Sequence, residues 1–260
     1  MKPLLPAALL LAAPLGAQGA PAYHPLQLDC ARYRQAIHTT IELESRGERS
    51  REVTDRDGVL VLRATARDSL IGLEAWFDTL FLAREGSGER LVPATDGLIG
   101  GRYTGVLTRR GGFTATDRPF VPDDVAQVAD VGDALEELLP PLPDTVLAPG
   151  TGHRDAFGTV TLRLPDGTRD GRRVARYRLT RSLEREEQRL LPDSSTVRAQ
   201  RHEREVGTFE WSPEVGPLRW ERAITIDVEV PVGGPVKRPF RSRIEQLVTI
   251  ERAGALESCR

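Results

Sequence analysis

Apolar and polar residues alternate with a period of two along much of the chain. In the stretch RWERAITIDVEVPV, one set of alternate positions is largely apolar and comprises Trp220, Arg222, Ile224, Ile226, Val228 and Val230. The stretch RSRIEQLVTIER repeats the alternation, and the glycine- and proline-rich segment PVGGPVKRP separates the two. Because successive residues of a strand point to opposite faces, we predict a long antiparallel hairpin here.

The rest of the chain has further strand-like stretches separated by turn residues. Before the middle they are AIHTTIELES, GVLVLRATAR, SLIGLEAWFDTLFLAR and LIGGRYTGVLTRRGGFTATDR, and after it FGTVTLRLPDG, RRVARYRLTRSLE and STVRAQRHEREVGTFEW. The motif DRDG, from Asp55 to Gly58, predicts a turn between the first two stretches. Gly111 and Gly112 predict another turn, within the fourth stretch.

One segment, PDDVAQVADVGDALEELLPPLP, has helical spacing instead. Its apolar positions Val125, Val128, Leu135, Leu138 and Leu139 predict a main helix that ends at Pro140 and Pro141. We therefore expect a mainly β (α+β) fold. It would be a large curved antiparallel sheet or half-open barrel, with the helix packed on its concave face.

The N-terminus, MKPLLPAALLLAAPLGAQGA, resembles a secretory signal peptide in composition. It has one basic residue, Lys2, followed by an apolar run from Leu4 to Ala13 and then small residues. The run holds about ten residues, and a membrane-spanning helix needs roughly twenty. We predict that residues 1–19 are a signal peptide cleaved after Gly19 and that residues 20–260 form a single β-rich domain. The mature protein is then expected to be exported to the periplasm or secreted, with no transmembrane segment.

The two cysteines, Cys30 and Cys259, lie near opposite ends of the predicted mature chain. Exported compartments oxidise thiols, so an even number of cysteines favours a disulfide between them. No C-x-x-C or H-x-x-x-H spacing is present, and we expect no metal site and no cofactor.

Charge provides little support for a polyanionic partner. Without residues 1–19 the chain has 35 basic and 38 acidic groups, a net charge of −3. Nucleic-acid binders usually carry a basic excess or stripe, so we expect no nucleic-acid partner.

The order of elements and the joint LPDTVLAPG resemble exported bacterial β-proteins of unknown function that are related to the LolA/LolB-type lipoprotein carriers. The resemblance covers most of the mature chain, although those families often carry Trp where this chain has His153. It implies a strongly curved, half-open antiparallel barrel whose concave side is covered by helix. It also implies an apolar concavity able to hold an acyl chain, and hence a lipid or lipoprotein partner.

Several local patterns are candidates for catalytic or binding chemistry. His153 lies beside Arg154 and Asp155, but no nucleophile motif is near it, so we interpret Leu135 to Asp155 as a scaffold joint. Asp166, Thr168, Asp170 and Gly171 match the first, third, fifth and sixth positions of a calcium loop. Tyr177 stands at the twelfth position, where the bidentate Glu is needed, which favours a hairpin turn.

Two further patterns have a simple structural interpretation. The run RAQRHERE, from Arg198 to Glu205, mixes both signs of charge and is typical of the solvated side of a strand. The pair Gly100–Gly101 lacks the strand–turn–helix context of a phosphate loop.

Three classes of function remain open from the sequence. The first is an exported envelope protein that binds a lipid or other apolar ligand in a concave sheet. The second is a structural or protein-interaction module with no small ligand. The third, an enzyme, is disfavoured, and no catalytic residue is predicted.

Overall fold

A computed structural model of the chain describes residues 19–45, 47–86, 88–190, 196–231 and 240–259. The predicted signal peptide, apart from Gly19, lies outside the described residues. The fold is mainly β, as predicted. Its twelve strands are β1 (Ala31–Ser45), β2 (Glu48–Arg67), β3 (Leu70–Gly86), β4 (Glu89–Leu91), β5 (Tyr103–Leu107), β6 (Phe113–Asp117), β7 (Gly152–Arg154), β8 (Val160–Arg169), β9 (Arg172–Leu190), β10 (Thr196–Ser212), β11 (Gly216–Val230) and β12 (Phe240–Ala255). Within the described part of the chain, helix is limited to α1 (Pro25–Leu28), α2 (Asp123–Ala126) and a short 3₁₀ turn at Asp96–Leu98.

All twelve strands belong to one antiparallel sheet. Its order is β6-β5-β3-β2-β1-β12-β11-β10-β9-β8-β7, and β4 pairs with β3 outside this path. Among the described residues β6 and β7 do not pair with each other, so the sheet is not closed. The two halves of the chain meet at its centre, where the first strand pairs with the last.

The predicted long hairpin is confirmed, since β11 and β12 pair antiparallel over their whole lengths. Its connection, residues 232–239, lies outside the described residues. The turn at Gly111 is also confirmed, because β5 and β6 pair on either side of it.

The turn predicted at DRDG is wrong, because Asp55 to Gly58 lie inside β2. Gly58 is required there for a close approach and not for a turn. A Cβ on Gly58 would lie 2.8 Å from the Thr79 carbonyl oxygen and 3.1 Å from the Phe77 ring. The chain reverses before β2 instead, near Gly47, whose φ of 87° suits glycine.

The predicted main helix is also wrong. Residues 121–142, called here the cover segment, contain only α2, followed by isolated turns such as Glu137 N to Asp133 O at 3.2 Å. The spacing explains the difference, because Val125, Val128, Val131 and Ala134 recur every three residues and are all buried. An α-helix has 3.6 residues per turn, so it would rotate Ala134 about half a turn away from Val125. A series of turns keeps all four against the sheet.

The cover segment packs on one face of the sheet, called here the core face, and completes the main apolar core there. Leu135, Leu138 and Leu139 are buried, as the sequence predicted. The proline-rich exit is held in place by a hydrogen bond of 2.7 Å that the Tyr23 hydroxyl donates to the Pro140 carbonyl. The stretch from Leu135 onward thus has the contacts of a scaffold joint.

The sulfur atoms of Cys30 and Cys259 lie 2.06 Å apart, so the structure joins the predicted pair as a disulfide. The bridge lies where β1 begins and where the chain ends after β12. It is reinforced by a hydrogen bond of 2.9 Å from Leu256 N to the Cys30 carbonyl.

Candidate functional site: a cleft on the core face

The core face extends beyond the cover segment toward the ends of β1, β11 and β12 that lie away from the main core. Alternate residues of a strand share a face, so Ile37, Thr39, Ile41 and Leu43 all lie on the core face of β1. Of these, Ile37 is buried and the other three are half-buried. Some of the side chains on the apolar face of this strand are therefore only partly covered and lie outside the main core.

The clearest part of this surface is a row of three isoleucines. Ile41 lies directly opposite Ile244 of β12, which lies directly opposite Ile226 of β11. We call these three residues the isoleucine row, and all of them are half-buried. Three branched side chains side by side on adjacent strands form a flat aliphatic surface suited to an apolar partner.

A cleft of about 260 Å³ lies between this surface and the cover segment. Ile37, Ile41 and Ile244 provide its aliphatic floor, together with the polar side chains Thr39, Thr54 and Gln246. The residues that line it from the cover segment are Val128, Ala129, Asp130, Asp133 and Glu137. Arg56 of β2 also lines the cleft. The cleft thus has an apolar floor and a charged inner end.

Arg56 and Glu137 form the ion pair at that inner end. Arg56 is 5% exposed although it is an arginine. Its Nη2 donates to Glu137 Oε2, and its Nη1 donates to the Asp130 carbonyl at 2.6 Å. Buried charges need such partners, and Arg56 obtains both from the cover segment.

The charged network continues across the core face to β9 and β10. Arg222 Nη1 lies 3.4 Å from Glu205 Oε1, and Arg222 Nη2 lies 4.0 Å from Glu137 Oε1. Arg181 Nη2 lies 3.2 Å from Glu205 Oε2 and 2.5 Å from Glu203 Oε1.

Arg201 ends the series, with its Nη2 at 3.3 Å from Glu203 Oε2. Seven side chains of alternating sign thus form a series that begins at the inner end of the cleft with Arg56 and Glu137 and continues across the core face to Arg201. The members of this network are Arg56, Glu137, Arg222, Glu205, Arg181, Glu203 and Arg201.

The sequence pattern does not single out these residues as a site, because it predicts a turn at Arg56 and a helix at Glu137. Arg222 did give a signal, because it occupies a position of the apolar alternation between Trp220 and Ile224. A charged residue at a core-facing position of a strand predicts a buried charge, which needs a partner from elsewhere in the chain.

A larger concavity, of about 700 Å³, lies on the opposite face of the sheet. It is lined by exposed charged residues that pair across strands. Arg241 Nη2 lies 3.1 Å from Glu229 Oε1, and Arg243 Nη1 lies 3.7 Å from Asp227 Oδ1. Exposed pairs of this kind contribute little energy and are typical of a solvated strand face. In the run from Arg198 to Glu205, the exposed residues Arg198, Gln200, His202 and Arg204 belong to this face, as predicted. The prediction is wrong for Arg201, Glu203 and Glu205, which face the core, and Glu205 is only 5% exposed.

Three histidines each lie beside one carboxylate. His38 Nδ1 is 2.7 Å from Asp55 Oδ1, His153 Nε2 is 3.4 Å from Asp144 Oδ1, and His202 Nδ1 is 3.4 Å from Glu184 Oε1. His153 therefore faces Asp144 and not its chain neighbour Asp155. The Asp155 carboxylate instead accepts hydrogen bonds from the backbone N–H groups of Phe157 and Thr159.

The predicted hairpin turn is confirmed at Asp170 and Gly171, whereas Asp166 and Thr168 lie within β8. Asp170 and Gly171 link β8 to β9 with φ values of 50° and 74°. The Asp166 carboxylate accepts hydrogen bonds from Arg163 and Arg173. Burial acts to raise the pKa of Asp166, but the hydrogen bonds and charges of the two arginines outweigh it and hold the pKa below its ordinary value.

The cysteines form part of a group with metal-ligand chemistry, since Asp29 lies beside Cys30 and Cys259. The two sulfur atoms are bonded to each other. A disulfide sulfur is not the thiolate that binds metal ions, so this group carries no argument for a metal site.

Comparison of the chain with models of known protein families and with curated proteins gives no match in either case. Within the described residues, no helix has the length and apolar character needed to cross a membrane.

Proposed function

We propose that the protein binds the aliphatic part of a lipid or of another apolar ligand in the cleft on the core face. The observation that carries the proposal is the isoleucine row, which is aliphatic, continuous over three strands and only half-buried. Ligand sites combine an apolar surface with a few polar groups that orient the ligand, and the cleft has both. Its volume of about 260 Å³ suits one aliphatic chain.

Export to the cell envelope is part of the same proposal. The disulfide is compatible with an oxidising compartment, either periplasmic or extracellular. An apolar ligand handled in such a compartment needs a protein surface that shields it from water. The resemblance to the LolA/LolB-type carriers, together with the cleft, favours a lipid or lipoprotein as this ligand.

Substitution of Ile244 tests the proposal, because this residue lies in the middle of the isoleucine row. Ile244→Glu places a carboxylate in the aliphatic floor, and we expect it to weaken binding of the uncharged dye Nile red at least about tenfold. Leu247→Glu is the matched control, because Leu247 lies on the same strand, faces the opposite side and is 58% exposed. It is expected to change the affinity less than about twofold.

The outcomes can be separated by measuring dye fluorescence and circular dichroism on the same samples. Equal loss of binding in both folded variants would contradict the proposal, as would binding in Ile244→Glu equal to the wild type. If Ile244→Glu alone loses binding, mass spectrometry of the protein purified from its native envelope would identify any lipid that remains bound.

A second candidate function is a structural or protein-interaction module. Among the described residues the sheet is open, and its end strands β6 and β7 each have one edge that no other strand of the sheet covers. An unpaired strand edge can accept a strand from a partner, which gives an interaction mode that needs no small ligand. Unchanged dye binding in Ile244→Glu would favour this alternative.

A further inference from the structure

Hydrogen-bond donors are in excess around Arg222. Its side chain is 10% exposed, and its Nε and Nη2 have no hydrogen-bond partner among the described residues. The Nη2 lies 4.0 Å from Glu137 Oε1, which is too long for a hydrogen bond. The Nε1 of the neighbouring Trp220 is another buried donor that has no hydrogen-bond partner in the part of the chain that the structure describes.

These donors lie close together on the core face. The Arg222 guanidinium carbon is 4.6 Å from the centre of the Trp220 ring. A Cβ on Gly207 would lie 3.2 Å from Trp220 Nε1 and 3.1 Å from Arg222 Cβ. Both side chains therefore pack closely against Gly207, where a Cβ would also lie 2.9 Å from the Glu221 carbonyl oxygen, so this position is already filled. A polar acceptor on the side of Arg222 that faces Glu137 would satisfy groups that are costly to leave unpaired.

The net charge of the network differs from that of the cleft. The seven members of the network are four arginines and three glutamates, which leaves one positive charge in excess. The cleft itself is lined by one arginine, Arg56, and three carboxylates, Asp130, Asp133 and Glu137. The unpaired donors of Arg222, and not the net charge of the cleft, therefore favour an acceptor that is negative.

Glu137 shows where such an acceptor fits. One of its carboxylate oxygens accepts from Arg56 and the other faces Arg222. Arg56 and Arg222 flank Ile37 and Val248 in a single row of directly opposed residues. A carboxylate thus already bridges the two arginines above an aliphatic base, but its hydrogen bond is made to Arg56 alone.

We infer that Arg56 and Arg222 form an anion-binding subsite at the inner end of the cleft, and that the ligand is an anionic amphiphile. This inference rests on the proposed function. The carboxylate or phosphate of the ligand takes the position between the two guanidinium groups that the Glu137 carboxylate holds. Arginine suits this role because its planar fork pairs with two oxygen atoms at once. The aliphatic chain of the ligand then lies along the isoleucine row.

Binding measurements on the full mature chain test the inference with matched probes. Dodecanoate and 1-dodecanol have chains of the same length and differ in the charge of the head group. Calorimetric or dye-displacement titration is expected to give an affinity for dodecanoate about tenfold or more above that for dodecanol, since hydrogen bonds to charged groups are the strong ones. Equal affinities would overturn the inference.

Two substitutions have opposite expected effects. Arg222→Gln removes the charge and should bring the affinity for dodecanoate down to that for dodecanol. Glu137→Gln removes the competing carboxylate and should raise the affinity for dodecanoate several-fold without raising that for dodecanol. Arg243→Gln is the control, because Arg243 lies on the opposite face with its side chain 51% exposed, and it should leave both affinities unchanged. If Arg222→Gln does not fold, the affinity of Glu137→Gln for dodecanoate is the test on its own. An affinity no higher than that of the wild type would overturn the inference.

Inorganic phosphate distinguishes a lipid head group from a free anion. Weak competition at millimolar concentration, with dodecanoate binding far more tightly, supports an amphiphile. Tight phosphate binding that dodecanol does not affect overturns the amphiphile.

The same data separate this inference from the proposed function. Equal binding of dodecanoate and dodecanol that Ile244→Glu abolishes would leave the aliphatic site standing without the anion subsite. No binding of either probe would contradict both.

Discussion

Cys30 and Cys259 join the start of β1 to the segment that follows β12, at the seam where these two strands pair. The two cysteines are 229 residues apart in sequence, and each lies just outside one of these two strands. Since β1 and β12 occupy the centre of the sheet order, the bridge fastens the N-terminal half of the sheet to the C-terminal half.

Reduction of this disulfide is expected to lower the melting temperature and leave the sheet folded. Loss of a native disulfide commonly costs about 2–5 kcal/mol, and 1 kcal/mol corresponds to about 2–4 °C in a protein of this size. Thermal unfolding followed by circular dichroism, with and without reductant, measures the shift. Peptide mapping under non-reducing conditions checks the pairing, and free thiols on both residues of the native protein would refute it.

Leu138→Ala is expected to cost about 2–5 kcal/mol of the free energy of unfolding, because the side chain is fully buried between the cover segment and the sheet. His153→Ala is the control in the same joint, since its imidazole is 35% exposed, and it should change stability by less than about 0.5 kcal/mol. Chemical denaturation measures both. A loss of ligand binding in His153→Ala at unchanged stability would show that the joint is part of the site.

Period-two patterning predicted most of the sheet. It placed the hairpin of β11 and β12, and it assigned Ile37, Ile41 and Ile244 to faces that the structure confirms. The reason is that strand pairing is decided by which side chains face the core, and a period of two records this directly. The pairing of the two cysteines could be inferred from their number and placement alone.

The cover segment and the charged network could not be predicted in the same way. The positions Val125, Val128, Leu135, Leu138 and Leu139 have a spacing compatible with a helix. Only the packing of the segment shows that Val131 and Ala134 are buried as well, which turns allow and a helix would not. The pairing of Arg56 with Glu137 joins residues 81 positions apart. Such a contact depends on how the cover segment lies across the sheet, which no local pattern records.

Gly58→Ala tests whether the DRDG motif lies inside strand β2 and not in a turn. Inside β2 the added methyl group would lie 2.8 Å from the Thr79 carbonyl oxygen, so the substitution should destabilise the protein by about 1–3 kcal/mol. Gly97→Ala is the matched control, because its Cβ would meet only the Pro122 side chain, at 3.9 Å, and the expected change is below about 0.5 kcal/mol. Equal stability of the two variants in urea denaturation would argue that Gly58 is not packed within a strand.

Asp166 is expected to make the stability of the protein depend on pH in the acid range. Its pKa is lowered in the folded state from the ordinary value of 3.8, because the hydrogen bonds and charges of Arg173 and Arg163 outweigh the effect of burial. A carboxyl group with a depressed pKa stabilises the folded state when it is ionised. Its contribution is therefore fully present above the unfolded-state pKa and is lost as the pH falls through the folded-state pKa.

The Asp166→Asn variant should accordingly melt below the wild type at pH 6, and the difference should shrink as the pH falls below about 4. Asp170→Asn provides the control at the neighbouring turn, because asparagine tolerates the φ of 50° found there and the substitution removes an exposed carboxylate. Melting temperatures of the three proteins between pH 6 and pH 2.5 give the comparison. A difference between Asp166→Asn and the wild type that stays constant over this range would mean that the two arginines do not stabilise the ionised carboxylate, and that the turn between β8 and β9 is held by its backbone alone.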